Sequence, residues 1–199
     1  MKSAVRAACI AASLTVCAAN GAQAQSKRPG GTWEGPYVGA NLGYQWSSIS
    51  ANATRPNGWV GGIQAGYTWQ QQEIVFGIET DLQLSGAEDV FAPWKFSNPW
   101  FGTLRGRAGF LLNNNTLFYA TGGLAIGSLT AQSATTGVSE TKVHPGWALG
   151  IGAEMAISGN WTAKVEYLYV NLYDRSYGLT GASNGMDANI LRMGVNYRF

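Results

Sequence analysis

Read in steps of two, the last eleven residues separate into an apolar set and a polar set. Leu191, Met193, Val195, Tyr197 and Phe199 share one face; Ile190, Arg192, Gly194, Asn196 and Arg198 share the other. This alternation predicts a half-buried strand. Its apolar face ends on aromatic rings, which suit a bilayer interface better than open water.

The same alternation recurs along the chain. Eight strands are predicted, centred on Tyr37–Trp46, Trp59–Gln70, Ile74–Leu84, Trp100–Leu111, Leu117–Leu129, Trp147–Ile157, Trp161–Leu172 and Asn189–Phe199. Their connections alternate in length. Gln71–Glu73, Asn113–Thr116 and Ser158–Asn160 read as tight turns. Ser47–Gly58, Ser85–Pro99, Thr130–Gly146 and Tyr173–Ala188 read as long polar loops. An all-β fold follows: an eight-stranded antiparallel up-and-down transmembrane β-barrel, short turns and both termini on the periplasmic rim.

The apolar sets agree from strand to strand. Val38, Leu42, Ile63, Ile78, Leu82, Leu104, Leu149, Ile151, Met155 and Val165 belong to one surface, and no charge falls among them. A midplane Arg or Lys costs about 2–4 kcal/mol on such a surface. Its aromatics sort by height: Trp46, Trp59, Trp100, Trp147 and Tyr169 lie beside the long loops. Trp69, Phe110, Phe118, Trp161, Tyr197 and Phe199 lie beside the short turns or the end. Two interfacial girdles are predicted.

The opposite faces carry Glu79, Asp81, Arg105, Arg107, Glu154, Lys164, Glu166 and Arg192, spaced by Asn41, Gln64, Gln83 and glycines. A soluble barrel would turn its charges outward; here the aromatic girdles put the charged face inside. Eight strands enclose a space just wide enough for side chains to fill. The four acids and four bases are therefore expected to form a structural network of ion pairs in the lumen.

Composition adds the compartment. Lys2 and Arg6, the small apolar run Ala7–Ala19 and the Ala22–Ala24 motif predict a signal peptide over 1–24, cleaved after Ala24. Residues 25–34 read as a periplasmic linker and 35–199 as the barrel. Both cysteines, Cys9 and Cys17, fall in the leader, so the mature chain has no disulfide or thiolate chemistry. The leader removes two of the 13 basic residues, and the remaining 11 equal the 11 acidic ones. A neutral chain is a poor nucleic-acid partner. With 27 glycines, 8 tryptophans and only 12% charged residues, it also departs from a soluble domain, which carries about 25% charge.

Several segments together resemble a known family. They are Gly35–Tyr44, Gly61–Trp69, Gly77–Asp81, Thr121–Gly123, Asn160–Tyr167 and the terminal Asn196–Phe199. The family is the small porin-like outer-membrane β-barrel proteins of alpha-proteobacteria, more distantly related to opacity-type surface proteins. The resemblance spans the mature chain. It implies a bacterial outer-membrane location, antigenic surface loops, and a terminal aromatic (Tyr197 and Phe199) read by the barrel-assembly machinery. It supplies no catalytic residues. Haem-binding and porin roles described for some members map onto no motif here.

The residues themselves point away from catalysis. Glu79 and Asp81 are close carboxylates, but the bases sharing their lumen favour ion pairing over acid–base or metal work. His144 is the single histidine, which excludes multi-histidine metal sites. It is expected as a solvated residue of the third long loop, with haem ligation as the alternative. No catalytic, cofactor or metal residue is assigned, and no cofactor is expected. Expected partners are outer-membrane lipid, lipopolysaccharide and the assembly machinery. The leading role is structural and surface-displaying; a channel for small solutes, or loops binding haem, another small ligand or a host surface, are the alternatives.

Overall fold

The computed structural model describes residues 33–49, 55, 57–91, 94–112, 115–133, 139–176 and 183–199. The expected leader and most of the expected linker lie outside them. Eight strands follow in order: β1 (Gly35–Ile49), β2 (Asn57–Gln71), β3 (Ile74–Phe91), β4 (Trp94–Leu112), β5 (Thr116–Ser133), β6 (Ser139–Ser158), β7 (Trp161–Ser176) and β8 (Ser183–Arg198). Each pairs antiparallel with its neighbour, and β8 returns to β1, closing the barrel. At the seam, Val38 faces Tyr197 and Leu42 faces Met193. The predicted strand number, order and up-and-down topology are those observed.

The strands are longer than expected, at 15 to 20 residues, where crossing a bilayer takes about 9–11. Three of the four segments read as long loops are largely paired strand; in Ser47–Gly58 the strands take in residues 47–49 and 57–58. Ser85–Pro99, for example, is the end of β3 and the start of β4, with only residues 92–93 between them. The apolar alternation stops where lipid stops, but the backbone ladder needs no apolar side chains to continue. Irregularities mark the changeover: the register shifts between Leu84 and Ala87, and between Leu172 and Arg175. Such bulges add local twist where a strand leaves one environment for another.

Period two assigns the faces correctly. Leu42, Ile63, Leu82, Leu104, Ile151 and Met193 each expose half or more of their surface to the outside. Tyr44, Trp46 and Trp59 meet edge to face near the long-loop rim, with ring centroids 5.1 and 5.7 Å apart. Trp161, Tyr197 and Phe199 do the same near the other rim, at 5.2 Å. These are favoured geometries for aromatic pairs.

The lumen is layered rather than uniformly polar. Val60, Phe101, Leu168, Val170, Leu172, Met186 and Ile190 form an apolar layer towards the long-loop rim. Trp33, Val75, Leu111, Leu117 and Tyr119 form another at the short-turn rim. The charged residues lie between them. Trp33 falls in the expected linker yet is packed inside. Its backbone N–H donates to Gln70 Oε1 at 2.6 Å, and its carbonyl accepts from Thr68 and Arg198.

Candidate functional site

The middle layer is built by three strand pairings. The register sets Glu79 beside Arg105, Glu154 beside Lys164, and Glu166 beside Arg192. All eight expected residues are buried. Which pairs touch is decided across the lumen as much as along the wall. Arg105 is the hub: Nη2 lies 2.6 Å from Glu79 Oε1 and 2.8 Å from Asp81 Oδ2, while Nη1 lies 2.7 Å from Glu166 Oε1. One planar fork thus ties β4 to β3 on one side and to β7 across the barrel. A guanidinium suits this role because its donors leave in fixed directions. Arg192 reaches Asp81 at 3.2 Å and Glu166 at 2.8 Å.

Lys164 leaves its register neighbour and stands 3.1 Å from Glu79 Oε2 and 3.5 Å from Glu166 Oε2. Glu154 turns instead to Arg107 Nη2 at 2.7 Å, and accepts from Thr162 Oγ1 at 2.6 Å and Asn196 Nδ2 at 2.9 Å. Threonine and amide groups complete the set: Thr103 Oγ1 donates to Asp81 at 2.8 Å, and Asn41 Nδ2 to Gln64 Oε1 at 2.5 Å. Buried charges persist where each carboxylate oxygen has such donors.

Further contributors lie outside the eight expected residues. Tyr37 and Tyr119 lie on the inward face and donate to Glu79 Oε2 at 2.7 Å and Glu166 Oε2 at 2.8 Å. Glycines make room for their rings: a Cβ on Gly66 would sit 2.5 Å from the Tyr37 hydroxyl, and one on Gly152 2.6 Å from that of Tyr119. Arg198 has the inward parity but is not among the eight expected charges. Its Nη1 is 3.5 Å from Glu154 Oε1, and its guanidinium lies 5.0 Å from the Trp33 ring centroid. Inward alternation with a neighbouring carboxylate could have revealed Arg198. The tyrosines carry no charge to draw attention.

His144 corrects the expectation of a solvated loop residue. It sits in β6 opposite Gly127, fully buried, with Nδ1 2.8 Å from the Tyr173 carbonyl oxygen. The segment's polar residues lack the apolar alternation, yet its backbone continues the β5–β6 hairpin. Among the described residues, no group of three or more His, Cys, Asp or Glu could hold a metal ion. The expected terminal aromatics lie together at the short-turn rim, and the Phe199 N–H donates to the Pro36 carbonyl at 3.1 Å across the seam.

Comparison with known proteins agrees with this architecture. A family model described as an outer membrane protein beta-barrel domain matches residues 9–199. The 22 kDa outer membrane protein of Rhizobium leguminosarum bv. viciae is 33% identical over 180 residues, covering 89% of this chain and 83% of that protein. The 31 kDa outer-membrane immunogenic protein of Brucella melitensis is 34% identical over 205 residues, covering 84% of each. Among solved structures, Neisserial surface protein A superposes with a TM-score of 0.58 at 16% identity, over 82% of this chain and 97% of that one. That likeness bears on the fold alone.

Proposed function

We propose a structural role for this chain, which belongs to the outer membrane protein beta-barrel domain family and is an outer-membrane protein of the bacterial envelope. In this reading the barrel is a closed, non-catalytic anchor. It contributes to envelope integrity through contact with lipid and lipopolysaccharide, and displays its long-loop rim at the cell surface. The short turns and the terminal strand face the periplasm, where Tyr197 and Phe199 engage the assembly machinery. The names of the Brucella relatives, which call them immunogenic, favour surface display.

The observation that carries the reading is the Arg105 fork, held by three carboxylates across the lumen. A permeating solute would have to part these pairs, and breaking a buried pair costs about 3–5 kcal/mol. The apolar layer above adds a second obstacle. The space among Gln45, Phe101, Leu172, Met186 and Ile190 has no room for a water molecule. Barrels with aqueous channels have about 16–18 strands, not eight.

The test is single-channel recording on the purified, refolded protein in a planar bilayer. A closed barrel gives a silent baseline. Stable steps of porin size would instead make solute passage the role.

A further inference from the structure

We propose that the outward face of β7 and β8, beside the long-loop rim, binds the sugar headgroup of an outer-leaflet lipopolysaccharide. The proposal rests on the orientation given above, in which that rim lies in the outer leaflet. The patch carries a charge, unlike the apolar span below it. Tyr169 Oη and Asn171 Nδ2 both donate to Asp187 Oδ1, at 2.7 and 2.6 Å. One strand step lower, Tyr167 Oη donates to Asn189 Oδ1 at 2.6 Å. The Trp147 ring stands 5.3 Å from that of Tyr169. Among the described side chains that alternate outward on β8, Asp187 is the charged one.

Height gives the patch its meaning. Asn189 pairs with Trp46 on one side and Tyr169 on the other, so the cluster lies in the upper aromatic girdle. A carboxylate facing hydrocarbon would be strongly disfavoured. At headgroup level it is solvated and faces whatever polar groups the leaflet offers. Among the described residues, both hydrogen bonds to Asp187 use Oδ1, leaving Oδ2 as an acceptor for an outside donor. Carboxylates and side-chain amides supply the acceptors and donors that sugar hydroxyls need. The flat faces of Tyr169 and Trp147 offer an amphipathic surface for a pyranose ring. The negative charge disfavours a bare phosphate, so the sugar is the part recognised.

The protein would be refolded into three kinds of vesicle: phosphatidylcholine alone, with phosphatidylethanolamine, and with purified lipopolysaccharide. The readout is the temperature at which the folded band is lost on an unboiled gel. Lipopolysaccharide should raise that temperature and phosphatidylethanolamine should not. Asp187→Ala and Tyr169→Phe should lose most of the rise while matching the unmutated protein in phosphatidylcholine; Leu149→Ala, on the same wall, should keep it. An equal rise in all variants, or an equal rise with phosphatidylethanolamine, overturns the proposal. Disulfide-linked dimers of Asp187→Cys would overturn it too, giving the patch to a second copy of the chain. Labelling of Ser139→Cys on whole cells reads the orientation separately, so an inverted barrel and a failed headgroup site give different results.

Discussion

Arg107 lies against the face of Tyr119, its guanidinium carbon 4.1 Å from the ring centroid. The same tyrosine holds Glu166 through its hydroxyl, so one side chain supports a cation with its ring and an anion with its edge. Tyr119→Phe separates the two functions. It keeps the ring and removes a hydrogen bond to a charged acceptor, for which about 1.5–3 kcal/mol is typical. Tyr119→Leu should cost more, because the cation–π contact contributes about 0.5–2 kcal/mol in addition. Urea unfolding followed by tryptophan fluorescence measures both. A phenylalanine variant as stable as the unmutated protein would show that the hydroxyl is replaceable.

Removing the hub takes one cation from three acids at once, leaving Arg192 and Lys164 to hold them. Arg105→Ala should lower stability by about 3–5 kcal/mol, the cost of leaving buried charge uncompensated. Adding Glu166→Gln removes one of those charges and should recover part of the loss. The double-mutant cycle then yields a coupling between β4 and β7, which touch through the lumen and not through the sheet. Additive losses would mean that the cross-lumen contact carries no energy of its own.

Orientation can be read with single cysteines, since the mature chain is expected to contain none. Glu73 and Ser139 are exposed near opposite rims. On intact cells a membrane-impermeant thiol reagent should modify Ser139→Cys and spare Glu73→Cys. The reverse pattern would turn the barrel over.

Deleting Phe199 tests assembly against stability. The residue adds one backbone bond at the seam and one ring to the lower girdle. Both are small beside the whole barrel. The folded fraction in cells should fall sharply, while protein refolded in vitro unfolds at nearly the same urea concentration. Equal folded yields in cells would remove the assembly role.

The barrel was legible because its two faces must meet different solvents. Lipid forces Leu42, Ile63 and Leu104 into register with one another, and period two recovers them from sequence. Where lipid ends, the signal ends too, so the alternation marks only part of β3 to β8 and the segment around His144 reads as a loop. The charged residues of the lumen were legible for the same reason, as charges on the wrong side of an apolar alternation. Their partners were not. Lys164 chooses Glu79 across the lumen over Glu154 beside it, a choice made by distances between walls that no local pattern encodes. Trp33 gives no such signal, because a single residue before a strand has no periodicity to read.

Strands that outrun the bilayer also set what the barrel can vary. From Trp147 back to Ser139, β6 continues for roughly 25 Å along its own axis, at about 3.3 Å per residue. β3 to β5 continue beside it as a paired wall. Residues at the crest of that wall owe nothing to hydrocarbon and little to the charges below. Substitutions there are free of the solvation penalties that govern the span, so the crest can diversify under selection while the membrane part stays fixed.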